Sequence, residues 1–176
     1  MNRRSFLRWG TGVAASLGLS PVLATANLPA ERSLSFLNTH TDESLTTTYW
    51  ADGDYIQGAV EEINFILRDH RTGDIHTIDE QLVDLLYVLQ SETGSKGALH
   101  IISGYRSPAT NSMLNKRSSG VAKRSYHMQG KAIDVRLPGC DLKDLHAAAL
   151  SLKAGGVGYY PGSDFIHVDV GPVRRW

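Results

Sequence analysis

The chain has 176 residues, with 18 basic residues against 18 acidic ones and a single cysteine, Cys140. That length supports one domain with a genuine core. The balanced charge excludes a nucleic-acid partner held by phosphate neutralisation, and one thiol excludes both an internal disulfide and a cysteine-type metal cluster.

In chain order, Asn2-Arg-Arg-Ser-Phe-Leu-Arg8 is a twin-arginine segment. A weakly apolar run rich in Ala and Gly follows from Trp9 to Leu23, and then Ala24-Thr25-Ala26. A positive end, an apolar middle and small residues at a cleavage point predict a twin-arginine export leader over residues 1–26. The run is too short and too interrupted by Gly for a membrane-spanning helix, so no stable membrane insertion is expected once it is removed. No cysteine near the cleavage point offers a lipid attachment site. The expected mature domain, residues 27–176, carries a net charge of −3, because the leader holds Arg3, Arg4 and Arg8 and no acid.

Ser33 to Thr39 alternates apolar and polar residues, and Leu45 to Trp50 has the β-branched content of a partner strand, with Thr39 to Ser44 as the hairpin loop. Ile56, Val60, Ile63 and Leu67 recur at helical spacing and predict a helix from Tyr55 to about Asp69. Arg71 to Asp74 breaks it. A second helix carries Leu82, Leu85, Leu86 and Leu89 on one face, with Thr77-Ile-Asp-Glu80 as a capping box. Ala98 to Ser103 reads as a short buried strand after the loop from Ser91 to Gly97.

Pro108 to about Lys116 predicts a brief helix, and Arg117 to Arg124 a basic loop containing Ser and Gly. Lys131 to Leu137 predicts a strand. A third helix follows Asp141 and carries Leu142, Leu145, Ala149 and Leu152, with Gly155 and Gly156 as its stop. Val157 to Tyr160 and Phe165 to Val170 form a terminal hairpin across Pro161-Gly-Ser163. Strands and helices mix without a repeating strand–helix unit, so a single α+β domain is expected.

The chemistry collects in the second half. His127 and Asp134 stand seven positions apart around Gly130, and His167 lies in the terminal hairpin. Two imidazoles and one carboxylate, with water in the fourth position, make an open tetrahedral site of the kind catalytic zinc uses. Strand alternation turns Asp169 to the same face as His167, and Asp164 sits at the mouth of the same hairpin. Either carboxylate is a candidate to accept the proton of a metal-activated water. Arg106, on the loop leaving the buried strand, is a candidate to stabilise a developing oxyanion or to hold a substrate carboxylate. His40, His70, His76, His100 and His146 lack partner spacing.

Ser125 to Asp134 matches Ser-x-His-x-x-Gly-x-Ala-x-Asp at every fixed position. This run resembles the first metal-binding motif of the zinc peptidases that include the D-alanyl-D-alanine metallopeptidases and share a fold with the Hedgehog signalling domain. Ser103-Gly-Tyr-Arg-Ser107 is similar to that family's arginine loop, and Gly155-Gly-Val-Gly-Tyr-Tyr160 precedes the last ligand as the family pattern requires. The likeness is closest to the exported murein endopeptidase K branch. It spans the mature chain, including Asn38-Thr-His-Thr41 and the terminal His-x-Asp-x-Gly-Pro run.

The resemblance implies a mainly antiparallel sheet flanked by helices, zinc held by His127, Asp134 and His167, and Arg106 as an electrophilic or substrate-orienting residue. It implies peptidoglycan as substrate, in the periplasm. One position departs from the pattern. Many carboxypeptidase relatives have Glu three residues before the last His, where this chain has the shorter Asp164, and the endopeptidase branch is marked instead by the Asp at 169. Asp169 is the preferred general base and Asp164 its rival. The activity expected is zinc-dependent hydrolysis of peptidoglycan cross-links, 3–3 links ahead of 4–3. The alternatives are a zinc D,D- or L,D-carboxypeptidase trimming stem peptides, and a non-catalytic, zinc-stabilised peptidoglycan-binding module.

Overall fold

A computed structural model describes residues 31–118 and 120–176, and the leader expected over residues 1–26 lies outside them. Among the described residues the strands are β1 (Glu31–Asn38), β2 (Ser44–Ala51), β3 (Asp54–Tyr55), β4 (Leu99–Ser103), β5 (Ala132–Arg136), β6 (Gly156–Tyr160), β7 (Phe165–Asp169) and β8 (Arg174–Arg175). The helices are α1 (Gln57–Ile66), α2 (Glu80–Thr93), α3 (Pro108–Arg117) and α4 (Leu142–Leu152). One sheet runs in the order β3-β2-β1-β4-β5-β7-β6-β8. It is antiparallel except where β1 meets β4 and β6 meets β8. The α+β expectation holds. No helix among the described residues is long and apolar enough to cross a membrane.

Period-two alternation divides the sheet. Leu34 and Phe36 of β1, Ile133 and Val135 of β5, and Ile166 and Val168 of β7 point into a common core. Leu82, Leu86 and Leu89 of α2 and Leu145 of α4 join them, each fully buried. α1 lies against β2, and α4 packs on α2, β6 and β7. The opposite face of β5 and β7 is buried as well, and it carries Asp134, His167 and Asp169. Polar residues buried on the face away from the helices mark where the chemistry sits.

Tertiary contacts move several expected boundaries. α1 starts at Gln57, because Tyr55 pairs with Trp50 in β3 and the Ile56 amide donates to the Tyr49 carbonyl. It stops at Ile66, before a turn organised by Asp69. The capping box expected over Thr77–Glu80 does not form. The Asp79 amide is held by the Gly130 carbonyl, so Asp79 itself is the N-cap and its carboxylate accepts from Gln81 N. α4 ends in a left-handed Lys153, leaving Gly155 and Gly156 to serve the site on the other side of the sheet.

Asp69 is 1% exposed and ties two parts of the chain together. Its oxygens accept from the amides of Arg71 and of Ser107, the residue that caps α3. Burial pushes its carboxyl upward, but the nearby Thr110 hydroxyl and the hydrogen bonds from the Arg71 and Ser107 amides outweigh that and lower it to about 2. A depressed carboxyl stabilises the fold fully above its ordinary value near 4 and loses that contribution as the pH falls towards about 2. In urea unfolding at stepped pH, wild type is expected to lose about 2 kcal/mol more than Asp69→Asn between pH 5 and pH 2. Parallel pH profiles for the two proteins would overturn this role.

Candidate metal centre

The site is built by strand register. Asp134 of β5 stands directly across from His167 of β7, which stands across from Gly158 of β6. On the other flank a bulge in β4 lets Ser103 pair with Asp134, where unbroken register would have turned it into the core. His127 arrives from outside the sheet, on a one-turn 3-10 helix over Tyr126–Gln129. Ser125 caps that turn, its Oγ accepting from the His127 amide at 3.3 Å. Gly130 closes it with φ 65°, where an added Cβ would strike the Thr77 carbonyl. The Ser, Gly and Asp of the motif therefore shape the turn, end it and supply a ligand in the strand beyond.

His127, Asp134 and His167 are all buried, and each offers one atom to a group whose members lie within 4.8 Å of one another. His127 Nε2 is 3.2 Å from His167 Nδ1 and 3.2 Å from Asp134 Oδ1, and His167 Nδ1 is 2.8 Å from the same oxygen. Ligands about 2.1 Å from a tetrahedral ion stand roughly 3.4 Å apart, close to this triangle.

Both rings are turned with one nitrogen inward. His127 Nδ1 lies 2.7 Å from the Gly104 carbonyl, which can only accept, so Nδ1 carries the proton and Nε2 is left bare. His167 Nε2 lies 3.0 Å from Asp169 Oδ2 and its Nδ1 lies 2.8 Å from Asp134 Oδ1, so the ring is fixed at both nitrogens, with Nδ1 turned into the triangle. Outward N–H groups held by acceptors are what metal-ligating histidines show.

The electrostatics agree. Burial drives His127 towards its neutral form. Burial acts on His167 in the same direction, but hydrogen bonds to Asp134 and Asp169 prevail and raise its pKa. Burial disfavours the charged form of Asp134, yet His127, His167 and Arg106 together hold it well below the usual carboxylate range. An ionised carboxylate and a neutral His127 make a pocket for positive charge, where a divalent cation would stand in place of the proton on His167 Nδ1.

The other expected residues fall around this triangle. Arg106 donates from Nε to Ser103 Oγ at 2.8 Å and from Nη2 to Asp134 Oδ2, and it lines the cleft above the three ligand atoms. Asp169 is on the face expected, but behind His167. Its oxygens accept from His167 Nε2, from Gly156 N and Gly171 N at 3.0 and 2.8 Å, and from Arg174 Nη1 and Nη2 at 3.0 and 2.6 Å. Its oxygens are thus taken up by five donors on the side of His167 away from Asp134. Asp164 is largely exposed, pairs with Arg136 at 3.1 Å and is not among the residues lining the cleft.

Sequence reading missed Arg174 and Trp176. Arg174 grips Asp169 while its guanidinium lies 5.2 Å from the Tyr126 ring and 5.0 Å from the Trp176 ring. Trp176 lies 5.2 Å from the His167 ring and donates to Tyr160 Oη at 2.7 Å. It fits because residue 158 is Gly, where a Cβ would come within 2.7 Å of the indole. Gly155-Gly-Val-Gly158 was the available signal, since closely spaced glycines in a strand mark a close approach by another segment.

Two fixed imidazoles and a carboxylate in an open cleft on a sheet face are a group that could hold one metal ion, as hydrolases of the metal-dependent kind require. The family model described as Peptidoglycan L,D-endopeptidase MepK, within peptidase family M15, matches residues 26–176. The chain is 45% identical to the Peptidoglycan L,D-endopeptidase MepK of Escherichia coli K12 over 99% of its own length and 97% of that protein's. The Shigella flexneri protein of the same name gives the same identity and coverage. The Probable peptidoglycan L,D-endopeptidase MepK of Haemophilus influenzae is 42% identical over 99% of this chain and 95% of its own. No solved structure matches. The chain belongs to this family of metallopeptidases, on its MepK branch.

Because Asp169 fixes the His167 ring and Arg174 fixes Asp169, Asp169→Ala and Arg174→Ala are expected to weaken metal binding by about 10–100-fold. Competition against a chromophoric chelator measures this without reference to activity. Unchanged metal affinity in both variants would remove the second layer from the account.

Proposed function

We propose that this protein is an exported, zinc-dependent peptidoglycan L,D-endopeptidase that hydrolyses peptide cross-links of the wall, 3–3 links in preference to 4–3, in the periplasm. The observation that carries the reading is the pair of buried imidazoles that each turn one nitrogen towards a single carboxylate. The printed names of the relatives supply the substrate class. Export is supported by the twin-arginine leader, and the family match begins at residue 26, where that leader is read to end.

His127, Asp134 and His167 would hold the ion, and a nitrogen-rich set of three with an open fourth position is the usual choice of catalytic zinc. The chemistry such an ion would supply there is polarisation of the scissile carbonyl and activation of water near neutral pH. The protein supplies the rest. Nη1 of Arg106 has no partner among the described residues and is free to meet the charge that grows on the carbonyl oxygen, while its other nitrogens keep it fixed. Asp169 acts as a positioning residue for His167. Proton transfer is assigned to Asp164, which immediately precedes β7 and would turn into the cleft by giving up its exposed ion pair with Arg136, the kind worth about 1 kcal/mol or less and readily exchanged.

Purified wild type is expected to contain one zinc per chain and to convert cross-linked muropeptide dimers to monomers, with both properties lost in His127→Ala. Asp164→Asn should keep its zinc and lose about 100-fold or more in kcat. Loss of one terminal residue from uncross-linked peptides, with dimers untouched, would make the enzyme a carboxypeptidase. Binding to sacculi without cleavage would make it a binding module.

A further inference from the structure

We propose that Arg124 forms, with the aromatic wall of the cleft, a subsite for a free carboxylate of the substrate peptide, one that takes no part in the hydrolysed amide. This rests on the peptidoglycan-peptidase reading above and deepens it.

The cleft over the metal site encloses about 630 Å³, and three arginines line it. Two are committed to protein acids: Arg106 to Asp134, and Arg174 to Asp169. Arg124 is exposed and has no hydrogen bond or ion pair among the described residues. Among the described residues Asp134 is the only acidic side chain that lines the cleft, and it already serves Arg106 and the two imidazoles. The cleft therefore presents one uncompensated, planar cation, the group best shaped for bidentate pairing with a carboxylate.

Its position is built. Asn111 of α3, 3% exposed, donates through Nδ2 to the carbonyls of Ala122 and Lys123 at 3.1 and 3.3 Å, pinning the two residues before it. Ser125, the residue after it, caps the turn that carries His127. Arg124 stands three positions before His127, a backbone span of at most about 11 Å. Arg124 lines the same cleft as His127, Asp134 and His167.

Tyr160 and Phe165 stack at 4.7 Å in the same cleft, and Trp176 is tethered to Tyr160. Aromatic faces suit an aliphatic stem, and the arginine suits the charge at its end. Peptidoglycan stem peptides offer such a group, because the diamino acid that forms a cross-link keeps a free carboxylate on an aliphatic side chain.

The experiment uses zinc-loaded enzyme and two synthetic cross-linked dimers that differ only in whether that carboxylate is free or amidated. On the free acid, Arg124→Ala is expected to raise KM about tenfold with kcat changed by less than about twofold, and Arg124→Lys to recover part of the loss. Wild type on the amidated dimer should show the same rise in KM, to which Arg124→Ala adds less than about twofold. An equal penalty on both dimers, or none on either, overturns the subsite, and so does a wild type indifferent to amidation. A wild type that cleaves neither dimer overturns the endopeptidase reading and this subsite with it.

Discussion

The register between β5 and β7 is the constraint on which the rest of the molecule depends. Asp134 opposite His167 brings a carboxylate oxygen and an imidazole nitrogen to 2.8 Å from two segments 33 residues apart in sequence. Side chains alternate strictly in a strand, so a slip of one residue would send both ligands into the helix-packed core and bring Ile133 or Val168 to the metal face. Ile133, Val135, Ile166 and Val168 are each at most 1% exposed, and that apolar set fixes the register far more strongly than the ligands could. The hydrophobic core sets the site geometry from the opposite side of the sheet.

Around that pair the charges are arranged in couples. Asp134 is met by Arg106 and Asp169 by Arg174, each acid buried and each arginine reaching in from the cleft side. A buried carboxylate without a partner would take up a proton instead of remaining a ligand. Arg106 keeps Asp134 ionised through the oxygen that faces away from the imidazoles. Arg174 and two backbone amides do the same for Asp169, which in turn keeps the His167 proton on Nε2. His127 needs no such chain, because a backbone carbonyl cannot change its charge. The two histidines reach the same orientation by different means, one through main chain and one through a charged relay.

Much of this was legible in the sequence. Leu82, Leu85, Leu86 and Leu89 announced α2, and the ligand motif named its own residues because the chemistry of a turn, a glycine and a strand acid is local. What was not legible depends on contacts between distant segments. Tyr55 reads as helical until Trp50 claims it for β3, and Thr77 reads as a cap until Gly130 holds the Asp79 amide. Gly155 and Gly156 read as a helix stop, whereas the structure spends them on room for Asp169 and Arg174. Asp169 was placed on the correct face by alternation. Alternation cannot tell which side of an imidazole a carboxylate will occupy.

The segment from Gly171 to Trp176 shows how far the second layer extends. It turns back over β6, where Trp176 donates its amide to Val157 and accepts from Tyr159. Gly171 lets the Tyr126 ring approach, Gly158 seats the indole, and Arg174 lies between those two rings while holding Asp169. Tyr126 immediately precedes the ligand His127. The segment therefore touches both arms of the metal site, one through Asp169 and His167, the other through the turn that carries His127. Each glycine along this path is a place where a methyl group would push the segment away, and with it the acceptor that orients His167. A geometry set by strand register is thus held in its final alignment by a few residues that contribute no ligand themselves.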